Sequence, residues 1–381
     1  MKRYGTAVFA GLATVLLWGT SASAQLPPTP NLDSYGLRIF QVESGLYPFV
    51  QVYFRTFDQN MRPLINLNER NIGLMVKGRS YDPAKRQYMI QDIRTRDEAV
   101  RAIFVIDCSK TMQDEPFEAA LDAAARYVEG KRPQDQVAII AVRDADAGYE
   151  VVSSFERDPA TLVRRMADLR ADGNTTRLYD GIGAAMQMSA LVSQGGIRST
   201  DAEYIISTSI IVFSDGKDEG SALSRSELMN RITALSNPVP IYSLAYTRVE
   251  PEHLLNLQAL SKNSFGIYFP IDESVGYMTR VVEEIQNIQQ SDYVLTFRAY
   301  QPVDGQAHPL KVGVEYPSNS GKIVYQGADF EAVNPPPIEE IIAMQRELDD
   351  MLNALPDGDP YLPASPFAPG IAPNAAPAAE N

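Results

Sequence analysis

Between residues 98 and 290, short apolar runs alternate with longer amphipathic segments. Residues 100–106 form a nearly continuous apolar run, which is typical of a parallel strand buried on both faces. The segments that follow such runs repeat their apolar residues at helical spacing, as at 115–129 and 177–193. Alternating strands and helices predict a mostly parallel sheet with helices on both faces and right-handed crossovers. We therefore expect a doubly wound α/β domain over residues 98–290.

Three separate segments of this region carry oxygen-bearing side chains. The first is Asp107-Cys108-Ser109-Lys110-Thr111, the second contains Thr176, and the third contains Asp215. Asp107 and Asp215 each follow a predicted strand, and open α/β sheets bind ligands at the carboxyl ends of their strands. Two carboxylates and three hydroxyls are hard donors, which suit Mg²⁺ with its preference for about six oxygen ligands. Because only two of these side chains are anionic, the ion can accept one further carboxylate from outside. The pattern favours metal-mediated binding over a reaction centre.

These segments resemble the metal-ion-dependent adhesion site of the von Willebrand factor A family. That site is written Asp-x-Ser-x-Ser, then a distant Thr and a distant Asp, and the resemblance covers about residues 98–290. Matched by position, the metal ligands would be Asp107, Ser109, Thr111, Thr176 and Asp215. Thr111 stands where the family usually has Ser, and Lys110 stands where it usually has Gly, which places a cation near the site.

The resemblance also implies a Rossmann-like fold, a bound metal ion and a partner. The cofactor would be one divalent cation, Mg²⁺ first, with Mn²⁺ and Ca²⁺ as alternatives. The partner would be a protein that presents an Asp or Glu to this ion. The implied function is a metal-dependent protein-binding or adhesion module.

The segments on both sides of the α/β region are predicted to be β-structure. Residues 50–55 alternate apolar with more polar side chains, which predicts a half-buried strand, and residues 310–316 repeat the pattern. Segments 37–94 and 291–331 each hold too few strands to bury both faces of a sheet. We therefore predict that they form one antiparallel β-sandwich, into which the α/β domain is inserted.

The first 24 residues have the features of a secretory signal peptide. A positive start, Met1-Lys2-Arg3, precedes a mostly apolar stretch at 4–18 and an Ala-Ser-Ala sequence at 22–24. That stretch is too short for a convincing membrane span, and no later stretch approaches the roughly 20 apolar residues of a spanning helix. We expect an exported protein, periplasmic or extracellular, whose mature chain has no membrane span. A Pro-rich linker at 25–36 would follow the cleavage site.

The C-terminal region divides into a helix and a tail. Residues 338–355 place their apolar side chains on one face, and Pro356 ends the pattern. We expect this amphipathic helix to pack on the body of the protein or on a partner. Residues 356–381 are rich in Pro and Ala and are expected to be disordered.

Charge and cysteine content exclude some classes of function. The formal net charge is −14, and it becomes −16 without Lys2 and Arg3 of the predicted signal peptide, so a nucleic-acid surface is not expected. Cys108 is the only cysteine, so the chain can form no internal disulfide. It directly follows an apolar strand, where a small buried hydrophobe is the expected role.

Catalytic patterns are absent from the sequence, and we predict that the protein is not an enzyme. Neither of its two histidines, His253 and His308, stands beside a plausible nucleophile, and no common hydrolase or phosphate-binding motif is present. Scattered acids such as Asp144 are expected to be surface residues, whereas Asp180 is expected to brace the metal loop. The alternative to a binding module is a non-catalytic structural subunit of a cell-envelope assembly, with a degenerate metal site.

Overall fold

The structure is a computed structural model that describes residues 35–82, 85, 87–190, 205–235, 238–246, 251–271, 275–318, 320–334 and 338–354. The predicted signal peptide and the predicted disordered tail lie outside these residues. The predicted linker lies outside them too, except for residues 35 and 36, which begin the first strand.

The described elements follow one another in the order strands, mixed α/β, strands, helix. The strands are β1 (Tyr35–Leu46), β2 (Phe49–Asp58), β3 (Ile72–Val76), β4 (Arg79–Tyr81), β5 (Tyr88–Asp92), β6 (Ala99–Asp107), β7 (Gln136–Val142), β8 (Tyr149–Glu156), β9 (Ile205–Ser214), β10 (Ile241–Tyr246), β11 (Tyr268–Ile271), β12 (Tyr293–Arg298), β13 (Ala307–Glu315) and β14 (Ile323–Glu331). The helices are α1 (Glu115–Gly130), α2 (Pro159–Ala167), α3 (Leu178–Ala190), α4 (Arg225–Ala234), α5 (Pro251–Asn263), α6 (Val275–Gln289) and α7 (Ile338–Ala354).

The central sheet has the strand order β11-β10-β9-β6-β7-β8. Its strands are parallel except for β8, which pairs antiparallel with β7 at the edge. Side chains of β6 alternate between two apolar clusters, so Phe104 packs with α1, α2 and α6 and Val105 packs with α3, α4 and α5. Burial on both faces explains the unbroken apolar run of this strand. The predicted doubly wound α/β fold class is confirmed.

Two further sheets are antiparallel, with the orders β1-β2-β12-β5 and β14-β13-β3-β4. Each of them combines strands that precede the central sheet in sequence with strands that follow it. In the first sheet, β12 lies between β2 and β5 and pairs with both. Val52 and Leu295 of this sheet share one buried apolar cluster with Leu74 and Val312 of the other. The two sheets therefore face each other across a common core, as in a β-sandwich.

The two ends of the α/β region meet at one place on this sandwich. The backbone N–H of Ile93 donates to the carbonyl of Asp292 over 2.9 Å, and Asp92 pairs with Tyr293 in the first sheet. Arg55 on β2 donates Nε and Nη2 to the Asp292 carboxylate over 2.6 and 2.7 Å. Its Nη1 lies 3.4 Å from the hydroxyl of Tyr242 on β10. A buried ion pair therefore joins the sandwich to the central sheet.

The prediction that residues 50–55 form a half-buried strand is wrong. Gln51, Tyr53 and Arg55 are only 2%, 0% and 9% exposed, although they lie on the outer face of the first sheet. The central domain covers this face, because Tyr53 packs in a cluster with Val100 of β6 and Ile206 of β9. Alternating polarity identified the strand correctly, but it did not show that a second domain would bury the other face.

Helix α7 covers another part of the same outer face. Leu348 and Leu352 are buried against Leu46, Phe49 and Met89 of the first sheet. Asp349 adds an ion pair with Arg298 of β12. The amphipathic segment predicted at 338–355 is thus a helix over Ile338–Ala354, and its C-terminal half packs on the body. None of the described helices is both long enough and apolar enough to cross a lipid bilayer.

Candidate metal centre

Asp107 and Asp215 emerge side by side at the carboxyl edge of the central sheet. Strands β6 and β9 are neighbours, and Ile106 pairs with Phe213. Ser214, between Phe213 and Asp215, donates its hydroxyl to Asp107 Oδ2 over 2.7 Å. Asp107 Oδ1 accepts the backbone N–H of Ser109 over 2.9 Å. Because both oxygens of Asp107 accept hydrogen bonds, the direction of this buried carboxylate is fixed.

The first loop brings two of the predicted hydroxyl ligands together. A 3₁₀ turn spans Lys110–Met112, and Ser109 occupies its N-cap position. This turn places Ser109 Oγ 2.9 Å from Thr111 Oγ1. Ser109 is buried and Thr111 is exposed, so this side of the site faces solvent. The extra methyl of Thr111 therefore meets no steric obstacle from a packed core.

The second loop is attached to the first by backbone hydrogen bonds. Lys110 N donates to Gly173 O over 2.9 Å, and Gly173 N donates to Cys108 O over 3.0 Å. A Cβ at Gly173 would lie 3.1 Å from Cys108 O, so this close approach favours glycine. Three residues later, Thr176 is buried, and its Oγ1 has no hydrogen-bond partner among the described residues.

The third loop carries Asp215 and closes the site. Asp215 Oδ1 accepts the N–H of Lys217 over 3.0 Å, whereas the buried Oδ2 has no partner in the described part of the chain. Gly216 has φ +85°, and a Cβ there would lie 2.9 Å from His253 O, so this turn also requires glycine. Glu219 N donates to Thr176 O over 2.6 Å, which joins this loop to the second. The three loops thus bring all five predicted ligand residues to one edge of the sheet.

The electrostatics of the site reflect two buried carboxylates close together. Burial, with Asp215 as a second cause, raises the pKa of Asp107 to about 6, against the hydrogen bonds from Ser214 and Ser109 that lower it. Without a positive partner, buried negative charge of this kind is unfavourable. A divalent cation would compensate it and would accept the unpaired oxygens of Thr176 and Asp215. Within the described residues, no cluster of three or more His, Cys, Asp or Glu side chains is placed to hold a metal.

The remaining residues considered from sequence have clear structural positions. Asp180 accepts the N–H groups of Ala222 and Leu223, each over 2.9 Å, and so fastens α3 to the loop that follows Asp215. Cys108 is buried, and burial raises the pKa of its thiol to about 12. His308 is also buried, in the sandwich beside Phe330 and away from the candidate site.

Sequence reasoning missed the contributions of Ser214 and Asp144. Ser214 orients Asp107, and its position directly before Asp215 was the only available signal. Asp144 was expected to be an ordinary surface acid, yet it accepts hydrogen bonds from Asn174 and Thr175 beside the site. The spacing of 31 positions between Asp144 and Thr175 gave no indication of this contact.

Comparison with known proteins agrees with the predicted resemblance. The family model "von Willebrand factor type A domain" matches residues 102–217, which include all five predicted ligands. The crystal structure of conserved hypothetical protein BatB from Bacteroides thetaiotaomicron is 18% identical, with a TM-score of 0.40, and covers 50% of this chain and 100% of its own. The SpRpn10 VWA domain is 19% identical, with a TM-score of 0.37, covering 50% of this chain and 95% of its own. A search of the curated proteins gave no significant match.

Proposed function

We propose that the chain binds a protein partner through a metal ion. The support is that residues 102–217 match the von Willebrand factor type A domain, commonly a protein-interaction module. The chain would bind this partner without catalysing a reaction. One divalent cation would be held by the side chains of Asp107, Ser109, Thr111, Thr176 and Asp215. Mg²⁺ is the first candidate because every donor is a hard oxygen.

The observation that carries this proposal concerns two buried oxygens, Thr176 Oγ1 and Asp215 Oδ2, which have no hydrogen-bond partner in the part of the chain that the structure describes. A buried polar atom without a partner costs about 1–3 kcal/mol, so most proteins satisfy such atoms. A water molecule could bond both oxygens, but it would leave the negative charges of Asp107 and Asp215 uncompensated. A divalent cation meets both requirements.

The bound cation would supply a coordination position for a carboxylate of the partner. Five protein donors leave about one of the six positions that Mg²⁺ prefers, and a carboxylate of the partner can fill it. Thr111 and Lys110 are exposed at the rim, which leaves this side open to a partner. The ligand proposed is therefore an Asp or Glu side chain on a protein surface.

Calorimetric titration with Mg²⁺ and Mn²⁺ tests the metal site directly. We expect the wild-type protein to bind one ion and Asp215→Ala to bind it far more weakly, because half of the anionic charge is lost. Asp122→Ala, which removes an exposed acid from α1, is the matched control and should bind like wild type. Circular dichroism should show that all three proteins keep their fold. Absence of binding by wild type at millimolar metal would refute the proposal and leave the structural-subunit alternative.

Partner binding needs a second experiment. Wild-type and Asp215→Ala protein would be immobilised and exposed to the native envelope fraction, with Mg²⁺ or with chelator. A partner that is captured by wild type, released by chelator and missed by Asp215→Ala supports metal-mediated recognition. A partner that both proteins retain in chelator contradicts it and favours docking through another surface.

A further inference from the structure

Asp144 lies on the loop after β7 and is not among the residues that would touch the metal. Its carboxylate accepts hydrogen bonds from the second loop of the site. Oδ2 accepts the backbone N–H and the side-chain Nδ2 of Asn174, over 3.0 and 2.9 Å. Oδ1 accepts the backbone N–H and the hydroxyl of Thr175, over 3.2 and 3.0 Å. One side chain thus binds two consecutive residues through both backbone and side chain.

These contacts extend to the first loop of the site. The Nζ of Lys110 donates to Asn174 Oδ1 over 2.6 Å, while the amide nitrogen of Asn174 donates to Asp144. A chain of hydrogen bonds therefore runs from Lys110 through Asn174 to Asp144. It connects three loops at the same edge of the sheet. These hydrogen bonds also lower the pKa of Asp144 to about 2, so its carboxylate is charged at neutral pH.

The position of Thr176 depends on this arrangement. Residues 173–176 have no regular secondary structure, so contacts with neighbouring loops must define their conformation. Gly173 is held by the backbone of residues 108–110, and Thr176 O is held by Glu219 N. Asp144 holds the two residues between them, Asn174 and Thr175. Thr176 comes directly afterwards, with its hydroxyl buried and unpaired among the described residues.

We propose that Asp144 is a positioning residue, which fixes the 173–176 loop so that the Thr176 hydroxyl faces the cation site before metal arrives. This inference rests on the proposed metal-binding function. An ordered loop reduces the loss of conformational entropy on binding, which raises affinity without a new metal contact. Groups that hydrogen-bond metal ligands directly change metal affinity by about 10–100-fold, and Asp144, which binds the residues next to Thr176, should act at the lower end of that range.

An acid near a cation site could also act through its charge alone, and Asp146 provides the matched control. It lies on the same exposed loop and also carries a carboxylate, but its hydrogen bond to this part of the site uses the backbone: its carbonyl accepts Nη1 of Arg177 over 3.0 Å. Asp146→Ala therefore removes an equal charge without releasing residues 174 and 175. If the charge matters, both variants should lose metal affinity. If positioning matters, only Asp144→Ala should lose it.

The test measures Mg²⁺ and Mn²⁺ affinity of wild type, Asp144→Ala, Asp146→Ala, Thr176→Ala and the Asp144→Ala/Thr176→Ala double variant. We expect Asp144→Ala to lose about tenfold in affinity and Asp146→Ala less than about twofold. Added to Thr176→Ala, Asp144→Ala should have little further effect, because the two residues act as one unit. Unchanged affinity of Asp144→Ala, an equal loss in Asp146→Ala, or additive losses in the double variant would each overturn the inference.

Amide hydrogen exchange of the metal-free proteins gives a readout that is independent of metal. Asp144→Ala should speed exchange at residues 174–176, and Asp146→Ala should leave it unchanged. If wild type binds no metal, the proposed function fails, but this measurement still decides whether Asp144 fixes the loop. Equal exchange rates in wild type and Asp144→Ala would overturn that part as well.

Discussion

Replacing Asp107 by asparagine should stabilise the metal-free protein at neutral pH, although it removes a proposed metal ligand. Asp107 is fully buried, and burial and Asp215 raise its pKa from 3.8 to about 6. The folded state therefore binds a proton more tightly at this carboxyl than the unfolded chain does. Metal-free protein should lose stability as the pH rises from about 4 to about 6, and the full cost should persist above that range.

The size of the effect follows from this shift. A difference of about two pKa units corresponds to about 3 kcal/mol. This is the most that removal of the charge can add to the free energy of unfolding. The introduced asparagine would keep an acceptor for Ser109 N, but its amide nitrogen cannot accept the hydroxyl hydrogen of Ser214. That lost hydrogen bond costs about 1 kcal/mol. The expected net gain for Asp107→Asn is therefore about 2 kcal/mol.

Urea denaturation of metal-free wild type and Asp107→Asn at neutral and acidic pH measures this difference. At about pH 4 the advantage of the variant should disappear, because wild-type Asp107 is then largely protonated. Added Mg²⁺ should stabilise only the wild type. Asp144→Asn is a control of opposite sign: hydrogen bonds hold the pKa of Asp144 at about 2, so loss of its charge should destabilise the fold. If Asp107→Asn is no more stable than wild type at neutral pH, and the difference between them does not change at acidic pH, the prediction is refuted.

Three other predictions concern the rest of the chain. Arg55→Ala leaves Asp292 buried without its partner, and urea denaturation should show that the free energy of unfolding falls by about 3–5 kcal/mol. Arg62→Ala breaks an exposed ion pair and should lower it by at most about 1 kcal/mol. Leu352→Ala should loosen α7 from the first sheet, so that limited proteolysis cleaves within residues 338–354 faster than in wild type; an unchanged rate would contradict the observed packing. N-terminal sequencing of protein recovered from outside the cytoplasm should begin at Gln25, and an intact Met1 would contradict cleavage of a signal peptide.

The α/β domain and the meeting of Asp107 with Asp215 at one edge of its sheet could be predicted because their signals are local. A strand buried on both faces is a continuous apolar run, as at 100–106, and the loops that carry Asp107 and Asp215 follow such strands directly. The polar side chains of Asp107 and Asp215 stand out immediately after apolar residues. Parallel pairing then brings the ends of β6 and β9 to the same edge, even though 107 positions separate Asp107 from Ser214.

Burial of the outer face of β2 could not be predicted, because what covers it comes from distant parts of the chain. From sequence, Arg55 is expected at the surface, because its partner Asp292 lies 237 positions later in the chain. The same holds for Asp144, whose hydrogen bonds to residues 174 and 175 depend on how two loops meet. Residue type alone does not distinguish such an acid from a solvated one.

The central place of β12 in the first sheet has a consequence for the order in which the chain can fold. Residues 293–298 complete a sheet whose other strands all lie before residue 93. Until they emerge, β2 and β5 lack the strand that separates them, and their unpaired edges can bind other chains. During vectorial synthesis, the α/β domain is complete before β12 arrives, so it can fold first and hold both ends of the sandwich close together. A chain truncated before residue 293 should therefore retain this domain but aggregate through the unfinished sheet.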